Sequence, residues 1–342
     1  MSTICFSADW HVSNFGASRE GALTARGQDV LRVISRMYDL ADQYGADVHV
    51  GLGDIFDLDK PPPGLLRHLQ TVVSRCPTWL LVGNHDQTSA DPEHHALAPM
   101  RPCASVVEDI EVFQHGKCAI ALVGFRQRDQ VIDKVKDIVW PEGCRVLGVH
   151  LGISDNRTPV FLQDTKDSIH VDRLVELAHE NSIEFVFAGN WHNPDQWDIE
   201  GVEIWQIGGL SPHVFGERWD RDGRVILFDT NKKTTQELWV PGPRYVTLTG
   251  SPPWENLNVP ADPLWLRYKI PAEDEQDARS HAAKYTDPAH TRIIIEPKEA
   301  QTTDLTIKVA NARIAVLEKA HEEGGTPLVN YVQDCLTKVT ER

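Results

Sequence analysis

Five short segments of this chain carry Asp, Asn or His at the end of an apolar run. They are Asp9-Trp10-His11 after residues 3–8, Gly53-Asp54 after 48–52, Gly83-Asn84-His85-Asp86 after 79–82, His150 after 146–149, and Gly189-Asn190-Trp191-His192 after 185–188. Carboxylate, amide and imidazole are side chains that bind divalent ions, and a mixed oxygen and nitrogen set suits manganese, iron or zinc better than calcium or magnesium. Two such ions roughly 3.5–4 Å apart can hold both the attacking and the leaving oxygen of a phosphoryl displacement and lower the pKa of a bridging water. Such a pair needs a bridging carboxylate. Charge grows on the phosphodiester oxygens in the transition state, so an imidazolium that donates on the leaving side adds to catalysis. His85 fits that role, with Asn84 before it and Asp86 after it, and Asp86 is expected to orient its ring.

These residues must be held by strands. A run of four to eight Val, Ile, Leu or Phe residues ended by Gly or Asp reads as a buried strand, with the polar residue where the strand emerges. In open α/β sheets ligand sites collect at the carboxyl ends of strands, so five such ends can converge on one point. Helical spacing over 25–44 places Val30, Val33, Ile34, Met37, Leu40 and Ala41 on one face. A second helix is expected over 61–75, opened by prolines, and a third over 171–181. Residues 199–207, 224–229 and 235–240 then read as successive strands. Strands interleaved with helices and followed by a run of strands predict two sheets packed face to face with helices outside.

In this order and as a set, the five blocks resemble the calcineurin-like metallophosphoesterase superfamily, which implies an α/β fold, the four-layer αββα sandwich. Ser7-Ala8-Asp9-Trp10-His11 and Gly53-Asp54-Ile55-Phe56-Asp57, followed by Pro61-Pro62, are most similar to the nuclease subunit of the bacterial SbcCD complex and its phage recombination-nuclease relatives. The resemblance implies that Asp9, His11, Asp54 and His192 hold one ion. Asp54 would bridge to a second, held also by Asn84 and His150, and His85 would be the catalytic histidine. It implies two divalent ions as cofactors, manganese first, with magnesium, iron or zinc as alternatives. It also implies DNA as substrate, an ATPase subunit with a coiled coil as partner, and a homodimer. One position departs from the pattern. Asn190 stands where the family usually has a His that completes the second site, and an amide oxygen is a weaker donor to the later transition metals. The second ion is therefore expected to bind more loosely.

Residues 1–258 are read as the catalytic domain, since Gly250-Ser251-Pro252-Pro253 and Pro260-Ala261-Asp262-Pro263 mark a boundary. Residues 259–299 form a small β-α-β pattern (strand 264–270, helix 273–284, strand 291–296) that resembles the cap domain of SbcCD-type nucleases. Residues 300–342 are read as a helical partner-binding segment, in which Leu328, Val329, Val332, Cys335, Leu336 and Val339 make one apolar face. Such a stripe docks either in a groove of the ATPase subunit or on its own catalytic domain.

Composition bounds the function. A net charge of −16 argues against a protein that simply coats DNA, because non-specific duplex binding rests on Lys and Arg. It leaves room for a nuclease whose acidic side chains hold metals. Arg126 and Arg128, with Lys134 and Lys136, and Arg218, Arg221 and Arg224 beside Trp219, are the local basic clusters. Arg126 and Arg128 are candidates for substrate contact, as is His213 in Gly208-Gly209-Leu210-Ser211-Pro212-His213. No apolar stretch is long enough to span a membrane, and the start lacks a basic and apolar leader, so a cytoplasmic location is expected. The six cysteines have no paired spacing and read as reduced, buried residues. Two rival functions stand beside the nuclease. One is a stand-alone phosphodiesterase for small phosphoesters or nucleotides, the other a catalytically weak scaffold subunit, to which Asn190 points.

Overall fold

The computed structural model describes residues 2–13, 23–57, 60–87, 94–163, 165–212, 215, 221–254, 256–257 and 263–296. His213, Arg218, Trp219 and the segment 300–342 lie outside them. In chain order the elements are β1 (Thr3–Ser7), α1 (Ala25–Gln43), β2 (Val48–Gly51), α2 (Pro63–Val73), β3 (Thr78–Leu81), β4 (Ser105–Val107), β5 (Ile110–His115), β6 (Cys118–Val123) and α3 (Arg128–Lys136). They continue with β7 (Cys144–His150), β8 (Gly152–Ser154), α4 (Val160–Gln163), β9 (Ser168–His170), α5 (Val171–Glu180), β10 (Ile183–Gly189), β11 (Asp195–Ile199) and β12 (Val202–Gln206). Last come β13 (Gly223–Asp229), β14 (Thr234–Val240), β15 (Arg244–Thr249), β16 (Leu264–Ile270), α6 (Glu275–Ala282) and β17 (Thr291–Ile295).

Two six-stranded sheets form the body, in the orders β14-β13-β1-β2-β3-β4 and β11-β12-β10-β7-β6-β5. The pairs β1·β2, β2·β3 and β3·β4 in the first, and β6·β7, β7·β10 and β10·β12 in the second, are parallel; β13 and β14 at one edge of the first sheet, and β11 and β5 at the two edges of the second, pair antiparallel. Side chains of a strand alternate between faces, and β1 uses both. Ile4 and Phe6 enter the core between the sheets, while Cys5 enters the core under the helices. Between the sheets, Phe6 stacks on Phe187 of β10 with ring centroids 4.0 Å apart, joined by Val50, Leu52, Ile120, Val146 and Phe228. The outer face of the first sheet packs against Val30, Ile34 and Met37 of α1 and Leu65 and Leu69 of α2. The outer face of the second packs against Val131 and Val135 of α3 and Leu174 and Ala178 of α5. Helix, sheet, sheet, helix is the four-layer sandwich expected from the sequence.

Local chemistry explains the helix starts. Thr24 Oγ1 accepts from Gly27 N at the start of α1, and Pro63 opens α2, where its missing N–H costs nothing. The single strand expected over 199–207 is instead the hairpin β11–β12. Glu200 and Gly201 take positive φ of 52° and 82°, the geometry of a two-residue turn that the apolar run on either side had masked.

The described residues fall into two compact units. The larger holds 2–247, 256–257, 263–267 and 281–292, and the smaller 248–254, 268–280 and 293–296. In the smaller, Trp254 meets Tyr268 edge to face at 5.2 Å. No helix of the described residues is long and apolar enough to cross a membrane.

Candidate metal centre

The carboxyl ends of β1, β2, β3, β7 and β10 meet in the larger unit, and the backbone there is strained. Asp9, His11, Asp54 and Asn190 all take positive φ, at 51°, 45°, 50° and 86°. Such conformations cost of order 1–3 kcal/mol each in non-glycine residues and persist where surrounding structure enforces them. Hydrogen bonds do so here. Asp9 N donates to Gly53 O, His11 N to Asp54 O, His85 N to Asp54 Oδ1 at 2.8 Å, and Asn190 N to Asp9 Oδ1 at 3.0 Å. Close approach needs glycine. A Cβ on Gly83 would lie 2.1 Å from Asp54 N, and one on Gly53 2.4 Å from His150 Nδ1.

Among the described residues three groups of ligand-type atoms result, Asp9 with His11 and His192, Asp9 with Asp54 and His150, and, beside these two, His11 with Asp57 and His85, each with its atoms within 4.8 Å of one another. His11 Nε2 and His192 Nε2 are 2.8 Å apart, and His11 Nε2 is 3.9 Å from Asp54 Oδ2. His150 Nδ1 lies 2.6 Å from Leu52 O, to which it donates, so Nε2 is the nitrogen that faces Asn84 Oδ1 at 2.9 Å and Asp54 Oδ1 at 3.3 Å. An imidazole nitrogen, an amide oxygen and a carboxylate oxygen at these distances need positive charge between them, from a proton on the ring or a metal ion in its place. The charge balance agrees. Burial alone would lower the His150 pKa, yet the Asp54 carboxylate outweighs it and pushes the ring up to about 9. Burial likewise presses Asp54 upward, but His150, His11 and His85 hold it below its ordinary range. Asp9, fully buried, is pushed up by desolvation, and its Oδ2 has no hydrogen-bond partner among the described residues. The donor set therefore fits a pair of divalent ions, with Asp9 and Asp54 both placed between the first two groups.

His85 stands beside these groups with its side chain 45% exposed. Its Nδ1 is 3.1 Å from Asp57 Oδ1, and the same carboxylate oxygen lies 3.5 Å from His11 Nδ1. The hydrogen bond to Asp57 raises the His85 pKa against partial burial, with the Asp54 charge adding to it. The orienting carboxylate is thus Asp57, which corrects the expectation for Asp86. Asp86 is fully buried and accepts from Phe56 N, Ile55 N and Gly83 N at 2.7, 3.2 and 2.9 Å. It ties the loop after β2 to the loop after β3. Burial and the nearby Asp54 charge push Asp86 up to about 7 against those three bonds.

Asn190 is placed at the centre by its backbone, while its Nδ2 donates to Asp167 O at 2.9 Å. Phe125 meets the His150 ring edge to face at 6.0 Å, which sets the next residue, Arg126, near this end of the sheet. Arg126 and Lys134 both pair with Asp109, and Arg128 with Asp129, so the basic cluster read from the sequence is largely neutralised. Sequence reasoning gave no role to Asp57, although it sits three residues after Asp54 in the same motif. It also missed Gln206, whose Nε2 donates to Gly189 O at 2.9 Å and whose Oε1 accepts from Ile153 N at 2.8 Å, fixing the end of β10. A lone Gln in a strand carries no signal of that kind.

A face-to-face double sheet whose parallel strand ends gather buried Asp and His side chains defines a metallophosphoesterase. A profile of the calcineurin-like phosphoesterase family matches residues 2–209, and the chain belongs to that family. No curated protein matches the chain significantly. Among solved structures it is similar to TT1561 of Thermus thermophilus, with 13% identity, 70% of this chain and 98% of that chain covered, and a TM-score of 0.43. An archaeal phosphodiesterase is similar at 10% identity over 69% of this chain and 99% of its own, with a TM-score of 0.40. The purple acid phosphatase PPD1 from yellow lupin seeds is similar at 11% identity over 70% and 51%, with a TM-score of 0.46.

Proposed function

We propose that this metallophosphoesterase is a DNA nuclease of the SbcCD-subunit and phage recombination type, acting in recombination, repair or phage DNA metabolism with a coiled-coil ATPase partner. The observation that carries the reading is the convergence of Asp9, His11, Asp54, Asn84, His150 and His192 beside a half-exposed His85. The motif Gly53-Asp54-Ile55-Phe56-Asp57, whose two carboxylates serve different groups of that centre, supports it. Asp9, His11, Asp54 and His192 would hold one divalent ion, and Asp54, Asn84 and His150 the other, manganese first among the candidates. When bound, such ions supply Lewis-acid polarisation of phosphoryl oxygens and a lowered water pKa.

The residues of the chain do the rest. Asp57 holds the His85 imidazole by Nδ1, which leaves Nε2–H directed away from the carboxylate and toward substrate. From there it donates its proton to the leaving oxygen as the phosphorus–oxygen bond breaks. Asp86 keeps the loops after β2 and β3 in register, so that Asp54 and His85 stay on one side of the scissile phosphate. A homodimer and docking of the 328–339 stripe on the partner belong to the same reading. A second reading, a phosphodiesterase for nucleotides or other small esters, is favoured by the pairing of Arg126 and Arg128 with carboxylates, which makes these two less available to a long duplex.

The test is manganese-dependent degradation of labelled linear duplex and single-stranded DNA by the full chain, with Asp54→Ala as the control for contaminants. Degradation by the wild type alone is expected. Hydrolysis of small phosphodiesters with both DNA forms untouched, alone and with an ATPase partner present, would overturn the nuclease reading in favour of the second.

A further inference from the structure

An open cleft of about 650 Å³ lies against the centre, sharing Asn190 and His192 with it. Its walls include Trp191, Trp197, Ile153 and Leu162, the last 37% exposed. The two indoles are fixed. Trp191 packs on Gly152, where a Cβ would fall 2.4 Å from its Nε1, and Trp197 Nε1 donates to Asp155 Oδ2 at 3.1 Å. Arg157 lies over the Trp197 ring, 5.9 Å from its centroid. Its Nε donates to Asp155 Oδ2 at 2.6 Å and one terminal nitrogen to Asp195 Oδ2 at 2.7 Å.

Charge decides what can bind. Two carboxylates meet one guanidinium, so the cleft has no positive charge left for a second phosphate. It offers flat apolar walls of a size usual for small-molecule sites, with fixed polar groups at the rim. We propose that this cleft is a nucleobase subsite, which receives the base of one nucleotide flanking the scissile phosphate while that phosphate sits at the metal centre. The proposal rests on the phosphodiesterase reading above. Base stacking on aromatic side chains tolerates any sequence, so the subsite grips nucleic acid without reading it.

The experiment measures kcat/KM of the full chain with manganese on thymidylyl-thymidine, on its two analogues lacking one base or the other, and on methyl p-nitrophenyl phosphate. In the wild type, one abasic analogue is expected to react about tenfold or more slowly than the parent. Trp197→Ala should slow the parent to the rate of that analogue and leave the analogue and the small ester unchanged. Leu162→Asp, at an exposed position where folding is not at stake, should move the parent in the same direction. Equal rates on parent and both abasic analogues in the wild type would overturn the subsite while leaving the phosphodiesterase reading intact. So would variants that leave the parent unchanged or slow every ester equally. A wild type inert on all four esters would remove the phosphodiesterase reading and the subsite with it.

Discussion

The two ends of β2 belong to one short strand and have opposite chemistry. Near its amino end His49 is 1% exposed, stacked on Tyr38 of α1 at 4.0 Å and 14°, and burial with the nearby Arg75 drives its pKa down to about 4. The Tyr38 hydroxyl is in turn within 2.9 Å of Thr78 Oγ1 at the start of β3. That end is neutral and closed, with His49 Nδ1 left without a hydrogen-bond partner among the described residues. Past the carboxyl end, Gly53 and Asp54 are forced to positive φ, and Asp54 faces three imidazoles. That end gathers side chains whose donor atoms suit a divalent cation. The scaffold is relaxed where it only has to be stable and strained where it presents ligands, as expected when strain is tolerated for function.

Changes at the carboxyl ends should therefore remove activity, and changes at the amino ends should alter stability alone. The largest effect is expected for Asp54→Ala, which removes the carboxylate common to both sides of the centre. Phosphodiester hydrolysis should fall by about 10³-fold or more, measured with saturating manganese, while the thermal midpoint stays within a few degrees of the wild type. Gly83→Ala should come next and act on both properties. Its Cβ would lie 2.2 Å from Asp54 Oδ1, so the loop after β3 must shift, with a loss of about 1–3 kcal/mol in urea unfolding and of most of the activity.

Asp57→Asn separates orientation from metal binding. Because Asp57 touches His85 and His11 but lies outside the two groups centred on Asp9, kcat should fall about 10- to 100-fold. Metal content by elemental analysis should change little. If metal is lost as well, Asp57 serves His11 more than His85.

The amino end supplies the smallest effect and the only pH-dependent one. With His49 at about 4 in the folded chain and about 6.5 in the unfolded chain, the unfolded state binds more protons between those values. The contribution of this group to stability is therefore complete above about pH 6.5 and is lost as the pH falls toward 4. The loss amounts to about 2 kcal/mol at pH 5. His49→Phe keeps the stack on Tyr38 and has no proton to bind, so its urea midpoint should match the wild type near pH 8 and exceed it at pH 5. Activity should be unaffected. Loss of activity in His49→Phe would break the contrast between the two ends.

The same contrast shows what the sequence could and could not reveal. Each strand-end ligand was visible because an apolar run stopped at Gly, Asp or His, and α1 was visible because its apolar residues recur at helical spacing. The strand-end turns hide the rest. Asp86 follows His85 directly, yet the turn sends its carboxylate inward to three backbone N–H groups, while Asp57, 28 residues earlier in the sequence, reaches the His85 ring. Adjacency in a tight turn does not mean a shared direction. The pairing of Arg126 with Asp109 depends on the antiparallel neighbours β5 and β6 and cannot be read from either segment alone. The β11–β12 turn was hidden because Val202 and Ile204 continue the apolar pattern across it.

Anomalous diffraction from crystals of the full chain equilibrated with manganese tests the central claim most directly. The account predicts two peaks roughly 3.5–4 Å apart, one among Asp9, His11 and His192 and the other among Asp54, Asn84 and His150. A single peak, or a peak held by His11, Asp57 and His85 in place of those two, would contradict it.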